Sequence, residues 1–162
     1  ALIIGQEILL NFNLRKRFNI SFFDRFNYFI NFSTLNSKYV ESGINGIEGK
    51  QVEFVPKINL KTGLEISVKK MNINLQYTYL SKQFTDASNS VESDLSGVLG
   101  QIPSYNVLDL SLSYVIDKMT FELGVNNLLN NHYFTTRATG YPGPGIIPSP
   151  TRNIYLTFEY RL

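Results

Sequence analysis

Cysteine and tryptophan are both absent from this 162-residue sequence, and histidine occurs once, as His132. The absence of cysteine excludes disulfide frameworks, zinc fingers, iron–sulfur sites and thiol catalysis, and one histidine cannot form a histidine-based metal cluster. Charged residues are scarce, at 17% against about 25% in average soluble chains. The net charge of +2 is too small for a nucleic-acid-binding surface, so we expect no nucleic-acid partner.

Long apolar runs are missing as well. The longest, such as residues 1–4 and 8–10, span only a few residues, whereas a transmembrane helix needs about 20. No basic segment followed by an apolar one opens the chain, so we expect no signal peptide. The first residues instead resemble the middle of a structural element, which suggests a natural N-terminus further upstream. The length predicts a single domain.

What the sequence does contain is alternation of apolar and polar residues at every second position, which predicts β-strands. Residues 152–162 show it clearly, with an apolar set at even positions and a polar set at most odd ones. The same pattern predicts seven strands, at residues 2–14, 18–32, 51–68, 71–84, 105–116, 119–130 and 152–162. They are longer than the average strand of about 5–6 residues. No stretch shows a 3.6-residue repeat, so we predict no helix.

The connections between these strands alternate in length. The short ones are residues 15–16, 69–70 and 117–118. The long ones are rich in Gly, Ser, Asn and Pro, and they comprise residues 35–50, 85–104 and 135–151. Short turns at one rim and long loops at the other are typical of transmembrane β-barrels of the bacterial outer membrane.

A soluble antiparallel sandwich is the alternative, because it also has one apolar and one polar face. The long strands and the Asn-, Ser-, Thr- and Gln-rich polar faces favour the barrel. Aromatic residues also fall where strands would leave a membrane, with Phe18 and Tyr114 towards the short turns and Tyr79 towards the long loops. Seven strands cannot close a bacterial barrel, so we predict an antiparallel up-and-down segment of a larger one.

Asp24 does not fit this pattern. On strict alternation its carboxylate faces lipid, which is costly. A β-bulge could turn the side chain inward, or a neighbouring chain could cover it, and the sequence does not choose between these.

One segment, residues 124–134, runs from Asn126-Asn127-Leu128 to Tyr133. Further motifs lie at residues 5–7, 54–57 with 63–64, 102–110, 140–148 and 150–155. Together these segments resemble the C-terminal barrel of TonB-dependent outer-membrane receptors, most closely the ferric-dicitrate type. Leu129 and Asn130 depart from the Phe and Asp that are usual in this family. The chain ends in Leu162, where the family usually has an aromatic residue.

This resemblance implies that residues 1–162 are the C-terminal seven strands of a plugged barrel of about 22 strands. The whole protein would be a TonB-energised receptor for ferric chelates, siderophore or iron-dicitrate, in a Gram-negative outer membrane. Its partners would be the chelate, the lipid bilayer and the TonB complex, the last through an N-terminal plug domain absent from this sequence. An outer-membrane barrel with a structural, secretion or other nutrient-uptake role is the alternative.

Ligands of such receptors are often anionic, so cations and aromatic residues near the long loops are natural contacts. The candidate ligand-binding residues are Tyr39, Lys57, Lys82, Tyr133, Arg137 and Tyr141. We predict no cofactor, no bound metal and no catalytic residue. A hydrolase would need His132 to pair with Ser111 or Ser113. By the predicted register these lie about ten strand residues away, at about 3.4 Å per residue, which is far beyond hydrogen-bond reach.

Overall fold

The computed structural model describes residues 1–140 and 143–162, and its main feature is one antiparallel sheet of seven strands. The strands are β1 (Leu2–Asn13), β2 (Arg25–Lys38), β3 (Ile58–Val68), β4 (Met71–Leu80), β7 (Tyr105–Ile116), β8 (Met119–Asn126) and β11 (Asn153–Tyr160). They lie in the sheet in the order β1-β2-β3-β4-β7-β8-β11, and each neighbouring pair is antiparallel. This is the up-and-down meander of seven strands that the alternation predicted.

Four further strands lie within the long loops and were not predicted. β5 (Gln83–Phe84) pairs with β6 (Gln101–Ile102), and β9 (Phe134–Ala138) pairs with β10 (Gly145–Pro148). The first, second and third long loops are residues 39–57, 81–104 and 127–152, and they share one rim of the sheet. The opposite rim, called the short-turn rim here, comprises residues 14–24, 69–70 and 117–118.

The register places the alternating residues as expected. Apolar residues face each other across neighbouring strands, as in the pairs Leu10 with Ile30 and Ile66 with Ile73. Side chains of this apolar face are open to the surroundings, with Leu156 at 75% exposure. In the described part of the chain no second sheet packs on this face, whereas a soluble sandwich would require one. The few buried apolar residues, Ile47, Phe84, Ile102 and Val107, lie in or near the long loops.

One short helix contradicts the prediction that the chain has none. α1 (Leu14–Arg17) directly follows β1, and the Asn13 side chain caps it by accepting a hydrogen bond from the Lys16 amide at 2.8 Å. Four residues are too few to show a helical period, which is why the sequence did not reveal it. Among the described residues, no helix has the length and apolar character needed to cross a membrane.

The second strand is also displaced from its predicted position at 18–32, because it begins at Arg25 and continues to Lys38. The connection before it spans residues 14–24 rather than 15–16. The expected apolar residues of the strand itself do share one face, since Tyr28 and Ile30 lie opposite Phe12 and Leu10. The period was therefore right, but the strand's beginning was wrong.

The later start of β2 resolves the problem of Asp24, which belongs to the connection and not to a strand. Its amide donates to the Ser67 carbonyl at 2.9 Å, and its carboxylate accepts from the Lys69 amide at 2.6 Å. Asp24 therefore lies exposed at the short-turn rim, where it caps the turn between β3 and β4, and neither a bulge nor a covering chain is needed.

Other strand ends differ from the prediction where the backbone turns. The strand predicted at 51–68 begins only at Ile58, and Phe54 before it has a left-handed backbone with φ of 56°. The strand predicted at 71–84 ends at Leu80, and the one predicted at 119–130 ends at Asn126, because Asn127 turns with φ of 52°. Left-handed residues other than glycine carry too weak a sequence signal for these ends to be predicted.

Candidate functional site

The polar face of the sheet carries a continuous groove that runs from the long-loop rim towards the middle of the strands. Three adjoining concavities of about 230, 410 and 240 Å³ form it, and all three are lined by Asp109. Gln76 lies opposite Asp109 in the register of β4 and β7, and it lines two of the three concavities, those of about 230 and 410 Å³. The remaining lining residues are mostly Asn, Ser, Thr and Tyr side chains.

Two stacked tyrosines form the end of the groove nearest the long loops. Tyr105 begins β7, and Tyr133 lies in the third long loop; their ring centroids are 4.6 Å apart with planes inclined by 20°. Tyr133 was a predicted ligand-binding residue, and the structure places it on the groove wall. Tyr105 was not predicted as a ligand-binding residue. It falls on the odd positions of β7, which carry the polar face, and this signal could have identified it.

Asn127 holds the backbone that carries Tyr133. Its side chain donates to the Asn131 carbonyl at 2.9 Å and accepts from the Asn131 amide at 3.0 Å. The Asn127 amide in turn donates to the Asp109 carboxylate at 2.8 Å. With 2% exposure, Asn127 is the most buried polar residue described in this part of the chain. This local network gives a physical reason for asparagine at position 127, whose side chain both donates to and accepts from the backbone of Asn131.

The groove carries one cation and one anion. Lys61 on β3 and Asp109 on β7 both line the largest concavity, together with the amide side chains of Asn59 and Gln76. The sequence placed Lys61 on the polar face but did not select it as a candidate, because nothing local distinguishes it from other strand lysines. The arrangement offers an aromatic platform, amide donors and acceptors, and one ammonium group, which suits binding of a polar ligand.

The predicted residue Tyr39 lies in the first long loop and is already engaged. Its hydroxyl donates to the Glu53 carboxylate at 2.5 Å. That hydrogen bond, with burial and the nearby negative charge adding to it, raises the pKa of Tyr39 above its ordinary value. Tyr39 does not line any of the three concavities.

The two predicted lysines lie exposed at the start and end of the long loops. Lys57 precedes β3, and its backbone carbonyl accepts from the Leu35 amide at 2.9 Å. The Lys82 ammonium group lies 5.7 Å from the centroid of the Phe84 ring. Neither lysine lines the three concavities.

Arg137 ties the third long loop to the second. Its guanidinium donates to the Gly97 carbonyl at 2.7 Å and to the Gln101 carbonyl at 3.0 Å, and it lies over the Phe134 ring at 5.2 Å. Among the described residues it forms no ion pair. The structure thus gives this predicted residue a role between loops, and it does not line the three concavities. Tyr141, the last predicted residue, lies outside the described residues.

The first and second long loops are tied in a comparable way. The Gln51 amide donates to the Asn89 side chain at 2.7 Å, and the Asn89 side chain donates back to the Gln51 carbonyl at 2.8 Å. The Phe54 amide also donates to the Phe84 carbonyl at 3.0 Å. The three long loops therefore form one connected layer above the groove, which the sequence did not predict.

His132 and the two serines considered for catalysis lie on different elements, His132 in the third long loop and both serines on β7. His132 is exposed beside a small cavity of about 70 Å³, and Ser111 and Ser113 lie on β7 within reach of asparagine side chains at 3.4 Å. Within residues 1–140 and 143–162, no three His, Asp or Glu side chains come together in a way that could hold a metal ion.

Comparisons with known proteins agree with this architecture. The family model described as TonB-dependent receptor-like β-barrel matches residues 6–128. The ferric citrate transporter FecA in its unliganded form has a similar fold over 98% of this chain, with a TM-score of 0.85 and 21% identity. The siderophore receptor PiuA from Acinetobacter baumannii gives 0.72 and 21%, and the ferric yersiniabactin uptake receptor FyuA from Yersinia pestis gives 0.70 and 16%, each again over 98% of this chain. The chain spans 24%, 21% and 23% of these three proteins, respectively.

Proposed function

The chain belongs to the TonB-dependent receptor β-barrel family, and we propose that it is the C-terminal arc of a receptor that imports ferric chelates across a Gram-negative outer membrane. In this proposal residues 1–162 supply seven of about 22 strands. The plug domain and the contact with TonB belong to the part of the receptor outside this sequence. The observation that carries the proposal is a membrane-compatible apolar face opposite a polar groove that opens beneath three long loops.

The apolar face supports a location in the membrane. Exposed Leu, Ile and Phe side chains would be costly in water over so large an area, but they are stable against lipid tails. The aromatic residues also lie towards both rims as expected, since Tyr114 is near the end of β7 and Tyr79 is at the opposite end of β4. Phe18 lies in the short-turn rim itself.

The groove supports a chelate as the ligand. Stacked Tyr105 and Tyr133 offer a flat surface for the organic part of a chelate, and Lys61 offers a cation for its carboxylate or phenolate oxygens. We propose that Tyr133 contacts the ligand directly. Tyr39, Lys57, Lys82, Arg137 and Tyr141 stay in the proposal as further candidate ligand contacts, because of their cationic or aromatic side chains.

The first test is the mass of the native polypeptide in an outer-membrane fraction. Scaling the 18.5 kDa of this chain to about 22 strands predicts a barrel of about 58 kDa, to which a plug would add. A native mass near 18.5 kDa would refute a single-chain receptor.

The second test measures binding of ferric dicitrate and of a ferric catecholate to the purified full-length receptor. Tyr133→Ala should weaken binding of the recognised chelate about tenfold, because it removes a stacking surface. Tyr114→Ala is the matched control, since Tyr114 belongs to the apolar face and should leave affinity unchanged. If neither chelate binds the wild-type receptor, the ferric-chelate proposal fails.

His132→Ala separates this proposal from a hydrolase. The substitution should leave chelate uptake and binding unchanged, since His132 is exposed beside the stack and does not line the groove. Loss of a measurable ester- or peptide-hydrolysing activity in this variant would favour an enzyme instead.

A further inference from the structure

The two rims of the sheet differ in charge. The short-turn rim contains six basic and two acidic residues, a net charge of +4, within only three short connections. The three long loops together contain five basic and six acidic residues, a net charge of −1. The excess positive charge of this chain is therefore concentrated at the rim that the groove and its proposed ligand do not use.

Backbone contacts join the short connections into one continuous surface. Asp24 binds the turn at Lys69, as described above, and the Val115 amide donates to the Lys70 carbonyl at 2.9 Å. The Arg161 amide donates to the Lys118 carbonyl, also at 2.9 Å. The basic residues of the three connections consequently belong to one edge of the sheet.

Within residues 1–140 and 143–162, these cations form no ion pair. The one ion pair found among the described residues joins Arg161, which directly follows β11, to Glu159 near the end of that strand. Lys16, Lys69, Lys70 and Lys118 are all exposed. The Nε atom of Arg15 is buried and donates to nothing in the described part of the chain. A set of unpaired cations at close spacing favours an anionic partner.

Large aromatic side chains accompany the cations. Phe18 and Phe22 are 65% and 71% exposed, and they lie in the same connection as α1 and its three basic residues. Phe22 packs edge-on against Phe23 with ring centroids 5.1 Å apart. Exposed aromatic residues next to Lys and Arg are typical of protein surfaces that insert into the headgroup region of a bilayer.

We infer that the short-turn rim binds the headgroups of anionic phospholipids, with Phe18 and Phe22 inserted between the lipid chains. The inference rests on one part of the proposed function, the location of the apolar face in a membrane, and not on the identity of the ligand. The rim is continuous with that face, so headgroups of the adjoining leaflet come within reach of its cations. Lys and Arg at such a surface bind the phosphate of the lipid directly.

The test uses the purified full-length receptor in neutral detergent and measures the binding of phosphatidylglycerol and phosphatidylethanolamine by native mass spectrometry. The triple variant Lys16→Gln, Lys69→Gln, Lys70→Gln removes three rim charges. The control variant Lys38→Gln, Lys50→Gln, Arg152→Gln removes the same charge from exposed positions at the long-loop side. The shift in electrophoretic mobility on heating confirms in each case that the barrel is folded.

Wild type and the control should prefer phosphatidylglycerol, and the rim variant should bind it at least about tenfold more weakly, because each cation near an anionic lipid surface contributes a factor of about five. Equal binding of both lipids by the wild type would overturn the inference. An unchanged affinity for phosphatidylglycerol in the rim variant would also overturn it and would indicate a protein partner at the rim. An equal loss of affinity in the control would overturn it as well, because it would indicate a general effect of charge. Ferric dicitrate and ferric catecholate binding is measured on the same samples. If the wild type binds neither chelate but still prefers phosphatidylglycerol, the ferric-chelate proposal is refuted and this inference stands.

Discussion

Tyr155 lies across Gly124 on the neighbouring strand, so closely that a Cβ atom built on the glycine would overlap the tyrosine ring. The two residues are direct partners in the register of β11 and β8, on the polar face of the sheet. The Tyr155 hydroxyl donates to Glu122 at 3.3 Å. Phe29 also lies over Gly63 between β2 and β3, where a built Cβ would meet both this ring and, more closely, the Leu75 carbonyl oxygen. Each aromatic ring fills the space left by the missing side chain and fixes the pairing of its two strands.

Gly124→Ala should therefore destabilise the folded barrel by about 1–3 kcal/mol, because the added methyl group forces the Tyr155 ring out of its position. The measurement is the urea concentration at which the full-length receptor loses its folded mobility in gel electrophoresis. Gly43→Ala is the matched control, since nothing lies within 4 Å of a Cβ built at that loop position. Equal midpoints for the two variants would contradict the proposed role of the pair.

A second prediction concerns Asp24, which the structure places at the short-turn rim. A cysteine at position 24 should react with a membrane-impermeant maleimide only after the outer membrane has been permeabilised. A cysteine at Asn45, in the first long loop, should react in intact cells. This chain has no cysteine of its own, so labelling reports the introduced positions once any cysteine elsewhere in the receptor has been replaced. These expectations follow from the usual orientation of outer-membrane barrels, with short turns in the periplasm and long loops outside the cell. Labelling of position 24 in intact cells would contradict that orientation.

The Asn127 network gives a third prediction. Asn127→Ala leaves the amide and carbonyl of Asn131 without their partners, so a loss of about 1–3 kcal/mol of folding free energy is expected. Chelate affinity should fall as well, because Tyr133 loses its backbone support. Asn127→Gly relieves the left-handed strain, where φ is 52°, but should restore neither the network nor the affinity. Asn45→Ala, at an exposed loop position, is the control for both measurements. An unchanged chelate affinity in Asn127→Ala would show that the hydrogen bonds of Asn127 are not needed for ligand binding.

A pH prediction follows from Asp94, which holds the turn that presents the Gly97 carbonyl to Arg137. Hydrogen bonds from the Ser96 hydroxyl and the Leu99 amide hold the pKa of Asp94 below its ordinary value. Its stabilising contribution is thus complete above the unfolded pKa of about 3.9 and is lost as the pH falls through the lower folded value.

Hydrogen-exchange protection of residues 94–101, corrected for intrinsic rates, should accordingly stay constant on acidification from neutrality to about pH 5 and fall only below about pH 4. Asp94→Asn should lower this protection already at neutral pH. Asp117→Asn, which changes an exposed carboxylate at the opposite rim, should not. A fall in protection between neutrality and about pH 5 would show that another group controls the turn.

The strands could be predicted because one face of this sheet is apolar and the other polar, so apolar and polar residues alternate along every strand. Leu110, for example, needs only to lie two positions from Leu112 to share its face. The helix α1 could not be predicted, because its single turn depends on one side-chain cap at Asn13. The predicted start of β2 was wrong because Phe18 and Phe22 extend the apolar alternation of the strand back into the preceding connection.

The candidate site was predicted less well, because it depends on which strands become neighbours. Gln76 and Asp109 are 33 positions apart but lie opposite each other in the groove. Tyr133 was selected for its type and its place near a strand end, whereas Tyr105 gains its role only from stacking against it. The loop ties were equally hidden, since Arg137 binds backbone carbonyls that any residue could supply.

The contact between Arg137 and the second long loop depends on backbone atoms alone at its acceptor end. The acceptors of Arg137 are the main-chain oxygens of Gly97 and Gln101, so the tie requires a backbone shape and no particular side chain at those acceptors. Segments of other composition could then be grafted into the second long loop, provided that Gly97 and Gly100 keep the left-handed conformations they adopt here, with φ of 72° and 127°. The second long loop could thus be exchanged while the sheet is kept and, under the proposed function, ligand preference could be altered without changing the strands.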